Sequence, residues 1–423
     1  MSLTNKKYTV LAWSFYDFAN SSYALLITGV GYQLYFKKVL FAEYLHLADL
    51  TWAISISLSI ILSAVLSPFL GVISDGFLSR KRIFVTLTYA TVLLTCSLAI
   101  VPNKFPFLSI LIFFLANLSY NLVLFVYDSY LPIIAKSSTI GRISGFAWGL
   151  GYLGGIASLI ITFSLFSQDP SPADSLGFRI GFLITGLFYL VFSLPSILLL
   201  PSVKLSPPFN LMDWKEITQN SFSTLNKTLR SWHEYKHIFR FILAFYCITE
   251  AIMTTIYFTA NYLSTTFGFN SKEILIATLT IQLIAFPATW LSGYLADKLN
   301  LKKALIISTL MWIGIILLIA SSKNLISLYI VFFLLGLVIG STQAIGRAIL
   351  SNITPMNKLG EFFGFSSFSS KIAATMGPLV FGWISFTTDN QRLAWLSLIP
   401  FLVLGLLLLV VNNDVNEDYS LPK

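Results

Sequence analysis

Charge is scarce in this chain: Asp, Glu, Lys and Arg supply 11% of 423 residues, where a water-soluble domain carries roughly 25%. Too little charge is present to cover a surface facing water, so lipid must be the main solvent. Histidine occurs at three positions, His46, His233 and His237, all in or beside polar connections, which argues against a histidine proton relay inside a membrane. The two cysteines, Cys96 and Cys247, lie within apolar runs, so no disulfide framework is implied. Ligands with the spacing of a zinc site are missing. A Gly-rich phosphate loop of the Walker type is also missing, so the chain has no ATPase site of its own. Neither a metal nor a cofactor is expected.

What is present is apolar. Hydrophobic residues make up 56% of the chain and the mean hydropathy is +0.79. Backbone in lipid must satisfy its own hydrogen bonds, which leaves helices or closed barrels. The apolar runs are about 20 residues long, the length of a membrane helix and not of a barrel strand. Twelve spans are expected, near 10–36, 49–74, 83–101, 107–131, 143–166, 178–200, 238–265, 272–296, 303–321, 325–350, 361–387 and 393–411. The polar stretch 201–237 includes Lys204, Pro207, Pro208, Asp213, Lys227 and Arg230. It divides the chain into six spans (1–200) and six spans (238–423). The expected class is an all-α membrane protein with two pseudo-symmetric six-helix bundles. No cleavable signal peptide is evident, so the first span is expected to be retained.

The net charge of +9 reads as topology, not as nucleic-acid binding. Placing both termini and the central stretch on one face collects Lys6, Lys7, Arg80, Lys81, Arg82, Lys136, Arg142, Lys302, Lys303 and most other cations there. The opposite face keeps Lys37, Lys38, Lys104, Arg179, Lys272, Lys323 and Arg392, while Lys371 falls within a span. The positive-inside rule then puts the termini in the cytoplasm, with a bacterial inner membrane the expected location.

Two short stretches repeat. Gly71-Val-Ile-Ser-Asp75 runs into Arg80-Lys81-Arg82, and Gly293-Tyr-Leu-Ala-Asp297-Lys298 runs into Lys302-Lys303. The aspartates are 222 positions apart. A second pair agrees: Gly141-Arg-Ile-Ser-Gly145-Phe146 and Gly360-Glu-Phe-Phe-Gly364-Phe365 are offset by 219. Such repeats mark transporter folds, with the substrate between the halves near the midplane. Glycine permits close helix approach, and the aspartate can face a positive helix N-terminus or a nearby arginine. Each stretch could therefore latch the two bundles together; a simple stop-transfer charge cluster is the plainer alternative.

On these residues the chain resembles the major facilitator superfamily, whose loop signature is Gly-x-x-x-Asp-basic-x-Gly-basic-basic. Asn300 takes the last glycine of the second copy, and asparagine tolerates a left-handed backbone. The first copy departs further, with Gly76 at the basic position and Leu78 at the glycine, so it is the poorer match to the latch pattern. Tyr16-Asp17-Phe18-Ala19-Asn20-Ser21, Gly149-Leu-Gly151-Tyr152-Leu153-Gly154-Gly155, Gln282-Leu-Ile-Ala-Phe286-Pro287, Gln343-Ala-Ile-Gly-Arg347 and Glu361-Phe-Phe-Gly364-Phe365 resemble the vacuole-effluxer-like branch of that superfamily. The resemblance implies a secondary transporter working by alternating access. Eukaryotic members are associated with release of amino acids from the vacuole.

Ionisable groups inside a membrane are costly and tend to work there. Asp17 lies in the first span with Asn20 a turn later, Asp128 and Arg347 lie near the cytoplasmic ends of spans four and ten, and Glu250 and Lys371 lie mid-span in seven and eleven. Asp17 and Arg347 could clamp a zwitterion, holding an ammonium and a carboxylate. Their plainer readings are interfacial polar patches. Similar depth suggests a Glu250–Lys371 ion pair, either a neutralising bridge or a switch released by a proton or substrate. Gly145, Gly149, Gly151 and Gly155 read as close-packing positions, and Pro68, Pro287 and Pro378 as kinks or tolerated membrane prolines.

An intramembrane aspartyl protease is the enzyme alternative, on Tyr16-Asp17 and Tyr127-Asp128. Its partner motif Gly-x-Gly-Asp is absent, since no Gly-Asp dipeptide occurs, so an enzyme is not expected. A sensor or lipid-handling protein, or a carrier of sugars, nucleosides or drugs, is the other alternative. The expected partners are a small solute, the bilayer and a coupling proton acting at Glu250 or Asp17, although a uniporter without coupling fits the sequence equally. A monomer is expected.

Overall fold

The computed structural model describes residues 3–29, 31–42, 45–165, 175–202 and 214–412. Lys204, Pro207, Pro208, Asp213 and the segment 413–423 lie outside the described residues. The regular structure among the described residues is all helical, with spans α1 (Leu3–Tyr23), α2 (Leu45–Gly76), α3 (Arg80–Leu98), α4 (Pro106–Asp128), α5 (Ile140–Thr162) and α6 (Ser175–Leu199) in one bundle. The other bundle holds α7 (Lys236–Phe267), α8 (Ser271–Leu299), α9 (Leu301–Ser321), α10 (Leu325–Ile353), α11 (Leu359–Thr388) and α12 (Gln391–Val411). Among the described residues, ten of these are individually long and apolar enough to cross a membrane; α1 and α11 complete the twelve.

Several helices outrun the hydrocarbon. At 1.5 Å per residue, the 29 residues of α8 span about 44 Å, against about 30 Å of bilayer core. That surplus is why Asp75 and Asp297, expected in loops, sit in the last turns of α2 and α8. Local signals set the breaks. Asn270 and Glu273 form a reciprocal capping box at the start of α8. Gly268 ends α7 with φ 71°, a conformation that suits glycine. Asn300 turns α8 into α9 at φ 93°, and its side chain accepts from Lys302 N and Lys303 N. Helices α2, α8 and α11 run on through Pro68, Pro287 and Pro378.

The central stretch is not all loop. Residues Trp214–Arg230 form a helix whose buried residues Ile217, Ser221 and Thr228 follow a helical spacing, a periodicity that its polar composition hid.

Aromatic packing holds the first bundle. Trp13 stacks on Tyr127 at 4.7 Å. Trp13 Nε1 donates to Tyr127 O, and Tyr127 Oη donates to Trp13 O, both at 3.0 Å. Each indole or phenol thereby satisfies its polar end inside an apolar contact, and α1 is fixed in register against α4. Between bundles, the heaviest packing is α5 on α8 and α2 on α11.

Candidate functional site

Helix-end chemistry builds the closed face. Asp75 Oδ1 accepts from Gly360 N at 2.8 Å, and its Oδ2 accepts from Glu361 N at 2.9 Å. Asp297 Oδ1 accepts from Gly141 N at 2.7 Å, and its Oδ2 accepts from Arg142 N at 2.8 Å. All four donors belong to first turns, of α11 and α5, where N–H groups have no partner within the helix. The helix dipole favours a carboxylate there. The arrangement is reciprocal: the aspartate of each half grips the second repeat of the other half.

Glycine makes the approach possible. A Cβ on Gly364 would stand 2.6 Å from Ser67 O, and one on Gly149 would stand 2.9 Å from Phe286 O. Gly71 meets Gly360, and Gly293 meets Gly141, backbone against backbone. Gly151 faces α1 instead, Gly155 lies between Gln282 of α8 and Ser21 of α1, and both line the cavity described below.

The first loop is the poorer match to the signature, yet its latch carries more bonds. Arg80 Nη2 donates to Asp75 Oδ1 at 2.6 Å, with both side chains under 10% exposed. The basic residues after Asp297 act elsewhere. Lys298 Nζ sits 4.6 Å from the Tyr294 ring centre, and Lys302 Nζ donates to Val410 O and Asn412 O. Both basic runs begin five residues after their aspartates, yet only Arg80 turns back to its own carboxylate.

Deeper in, Arg347 bolts the bundles together. From α10 its Nη1 reaches Asp17 Oδ2 of α1 at 3.1 Å and Asp128 Oδ1 of α4 at 3.0 Å. Its Nε donates to Ser144 Oγ and its Nη2 to Ser144 O, both on α5. Trp13, Trp148 and Tyr127 surround the guanidinium at 4.8, 5.0 and 5.8 Å, distances at which ring faces attract a cation. The two Tyr-Asp dipeptides thus meet, but their aspartates share an arginine. Asn20 Nδ2 lies 3.4 Å from Asp17 Oδ1.

Above this bolt a cavity of about 630 Å³ lies between the bundles. Asp17, Asn20, Asp128 and Arg347 line its closed end, joined by Trp148, Tyr152, Gln282 and Gln343. Its walls continue to Leu263 near the end of α7 and to Ala277 and Thr278 in the first turns of α8, so it leads away from the latches. Of these additional residues, Tyr152, Gln282 and Gln343 sat in sequence motifs that could have marked them, as did Ser144 within Gly141–Phe146; Trp13 and Trp148 carried no comparable signal.

The expected Glu250–Lys371 bridge is absent. Glu250 Oε2 accepts from Gly377 N of α11, while Lys371 Nζ crosses to the other bundle, donating to Asn121 O at 3.1 Å and Ser67 Oγ at 3.5 Å. The two lie on neighbouring helices but face different ways, and neither lines the cavity.

Asp17 and Arg347, expected to clamp a zwitterion, hold each other in this structure. No group of three or more His, Cys, Asp or Glu side chains among the described residues could hold a metal.

Comparison with known proteins agrees with this architecture. The chain is 26% identical over 416 residues to the MFS-type transporter YxiO of Bacillus subtilis, covering 97% of this chain and 96% of that protein. It is 24% identical to autophagy-related protein 22 of Eremothecium gossypii, over 87% of this chain and 77% of the relative. The fold superposes on the proton:xylose symporter XylE with a TM-score of 0.75 at 15% identity, covering 99% and 98% of the two chains. It superposes on a bacterial homologue of the iron transporter ferroportin in its outward-facing state with a TM-score of 0.70 at 16% identity, covering 97% and 99%. These likenesses identify an integral, multi-pass major facilitator transporter and not an enzyme. Residues 51–417 match the family described as vacuole effluxer Atg22 like, and the chain belongs to that family.

Proposed function

We propose that this transporter carries an amino acid or a related zwitterion, through rocking of bundles 1–200 and 238–423 about the linker 201–237. The observation that carries the reading is the Asp17–Arg347–Asp128 group at the closed end of the cavity. A guanidinium and two carboxylates out of bulk water are expensive to separate. A zwitterion brings one charge of each sign. Its ammonium can take over a carboxylate from Arg347, and its carboxylate can take the contact that Arg347 gives up. The bolt is then released without changing the charge balance of the group, which has one carboxylate in excess before and after. A sugar or a simple anion offers no replacement for both partners. The names of the family and of its relatives, vacuole effluxer and autophagy-related protein 22, fit movement of a small solute.

The cation-rich latched face is assigned to the cytoplasm on the positive-inside rule, in the plasma membrane, with both termini on that side. The cavity then opens outward. Protons are proposed to act at Glu250, which is fully buried and tied to α11 through Gly377 N, with no ion pair to offset its charge. The protein is proposed to work as a monomer.

A thermal-shift screen of the purified protein against amino acids, peptides, sugars and nucleosides tests the substrate class. Stabilisation by a zwitterionic amino acid, lost in Asp17→Asn, is expected. Stabilisation by a sugar or nucleoside alone would overturn the assignment, and lipid movement in vesicles with no solute response would replace it.

A further inference from the structure

A second cavity, of about 430 Å³, opens on the latched face beside the Asp297 latch. Lys6 and Lys7 from α1, Lys136 from the connection before α5 and Arg142 from α5 all line it. The lining contains no carboxylate. Apart from Thr139, its remaining walls are apolar: Val10, Ile134, Ile143, Phe146 and Trp290. Among the described residues, none of the four cations takes part in an ion pair. Asp297 adjoins Arg142 through its backbone, and both its oxygens are spent on the N–H groups of Gly141 and Arg142. Four like charges gathered without a counter-ion repel one another, and that cost falls when an anion enters.

The walls state which kind of anion. Trp290 is 48% exposed and meets Phe146 at 5.9 Å between ring centres, on the outer flank of the α5–α8 contact. Trp290 is seven residues from Asp297, about 10 Å into the bilayer from the latch. A ligand filling the pocket therefore meets cations at the water edge and aromatic surface toward the acyl chains. That order of environments is the one an amphiphile presents, and cationic clusters on the cytoplasmic side suit anionic headgroups.

We propose that this pocket binds the phosphate headgroup of an anionic phospholipid, and that its occupancy strengthens the Asp297 latch. The coupling is structural. Arg142 contributes its side chain to the pocket and its backbone N–H to Asp297, so a headgroup that orders Arg142 also orders the first turn of α5. The Asp75 latch shares none of these residues and serves as an internal control. The proposal depends on neither the direction of transport nor the substrate.

The test is hydrogen–deuterium exchange of the full chain in nanodiscs of phosphatidylcholine with and without phosphatidylglycerol. The Gly141 and Arg142 amides are expected to exchange at least fivefold more slowly with phosphatidylglycerol, while the Gly360 and Glu361 amides keep their rates. Native mass spectrometry is expected to show phosphatidylglycerol retained over phosphatidylcholine, with the preference falling at least tenfold in the Lys136→Gln/Arg142→Gln variant. Lys7→Gln alone, at an exposed position, is expected to give a smaller fall should the double variant be unstable. Equal exchange in the two lipids, or equal slowing at both latches, would overturn the proposal. Equal slowing by millimolar glycerol 3-phosphate in phosphatidylcholine would show a soluble phosphate site and overturn the lipid assignment.

Discussion

Exchanging Asp297 for asparagine keeps the shape of the latch and removes its charge. Two charge-assisted hydrogen bonds, to Gly141 N and Arg142 N at 2.7 and 2.8 Å, are each worth about 1.5–3 kcal/mol. Asparagine offers one acceptor oxygen, so one bond becomes neutral, at about 0.5–1.5 kcal/mol, and one is lost. Partial access of water to the helix end favours the low end of the difference, about 2 kcal/mol, or roughly a 30-fold shift from the latched to the unlatched state. Asp75→Asn likewise weakens one bond to α11 and loses the other, and should shift the same equilibrium by a similar factor. It differs in a second respect. Arg80 is 4% exposed and loses its carboxylate whether or not the bundles are latched, because both residues belong to the first bundle. Stranding a buried charge costs about 3–5 kcal/mol, and this cost falls on folding. The two variants should therefore match in conformational shift and part in thermal stability. Spin-label distances across the latched face, measured beside detergent-solubilised unfolding temperatures, read the two effects separately. Asp297→Asn destabilising the fold as much as Asp75→Asn would refute the reasoning, as would an unchanged distance distribution in both.

Arg347→Met leaves Asp17 and Asp128 without their cation and should lower the unfolding temperature; Arg347→Lys keeps the charge but loses the Ser144 bonds, so it should fold while populating the unbolted state, read by the same spin labels. Glu250→Gln should retain substrate-induced stabilisation and lose proton-driven uptake in reconstituted vesicles; uptake driven as in the wild type would remove Glu250 from coupling. Gly364→Ala places a Cβ 2.6 Å from the Ser67 carbonyl, backbone that cannot yield, so cysteine cross-linking between the latched ends of α2 and α11 should fall several-fold, and unchanged cross-linking would contradict the close approach.

Membrane class, the twelve spans and the duplicated Gly-x-x-x-Asp stretches are properties of local composition and spacing, and the sequence alone determined them. Asn300 was legible for the same reason: an asparagine standing where a turn needs positive φ is a local fact. The linker helix was less visible, because its packed face alternates with enough polar residues to read as loop. Contacts across the chain depend on how each helix is rotated about its axis, and hydropathy does not record that in spans surrounded by lipid and protein together. Depth placed Glu250 and Lys371 level with each other, but rotation sent Lys371 to Ser67 and Asn121 and left Glu250 on Gly377. Rotation also brought Asp17 and Asp128, 111 positions apart, to a single guanidinium. The sequence determined that each half carries an aspartate and a glycine-rich helix start. Only the tertiary structure decided that each aspartate closes on the other half, because helix N–H groups left unpaired on one bundle are best satisfied by the carboxylate that the opposite bundle presents.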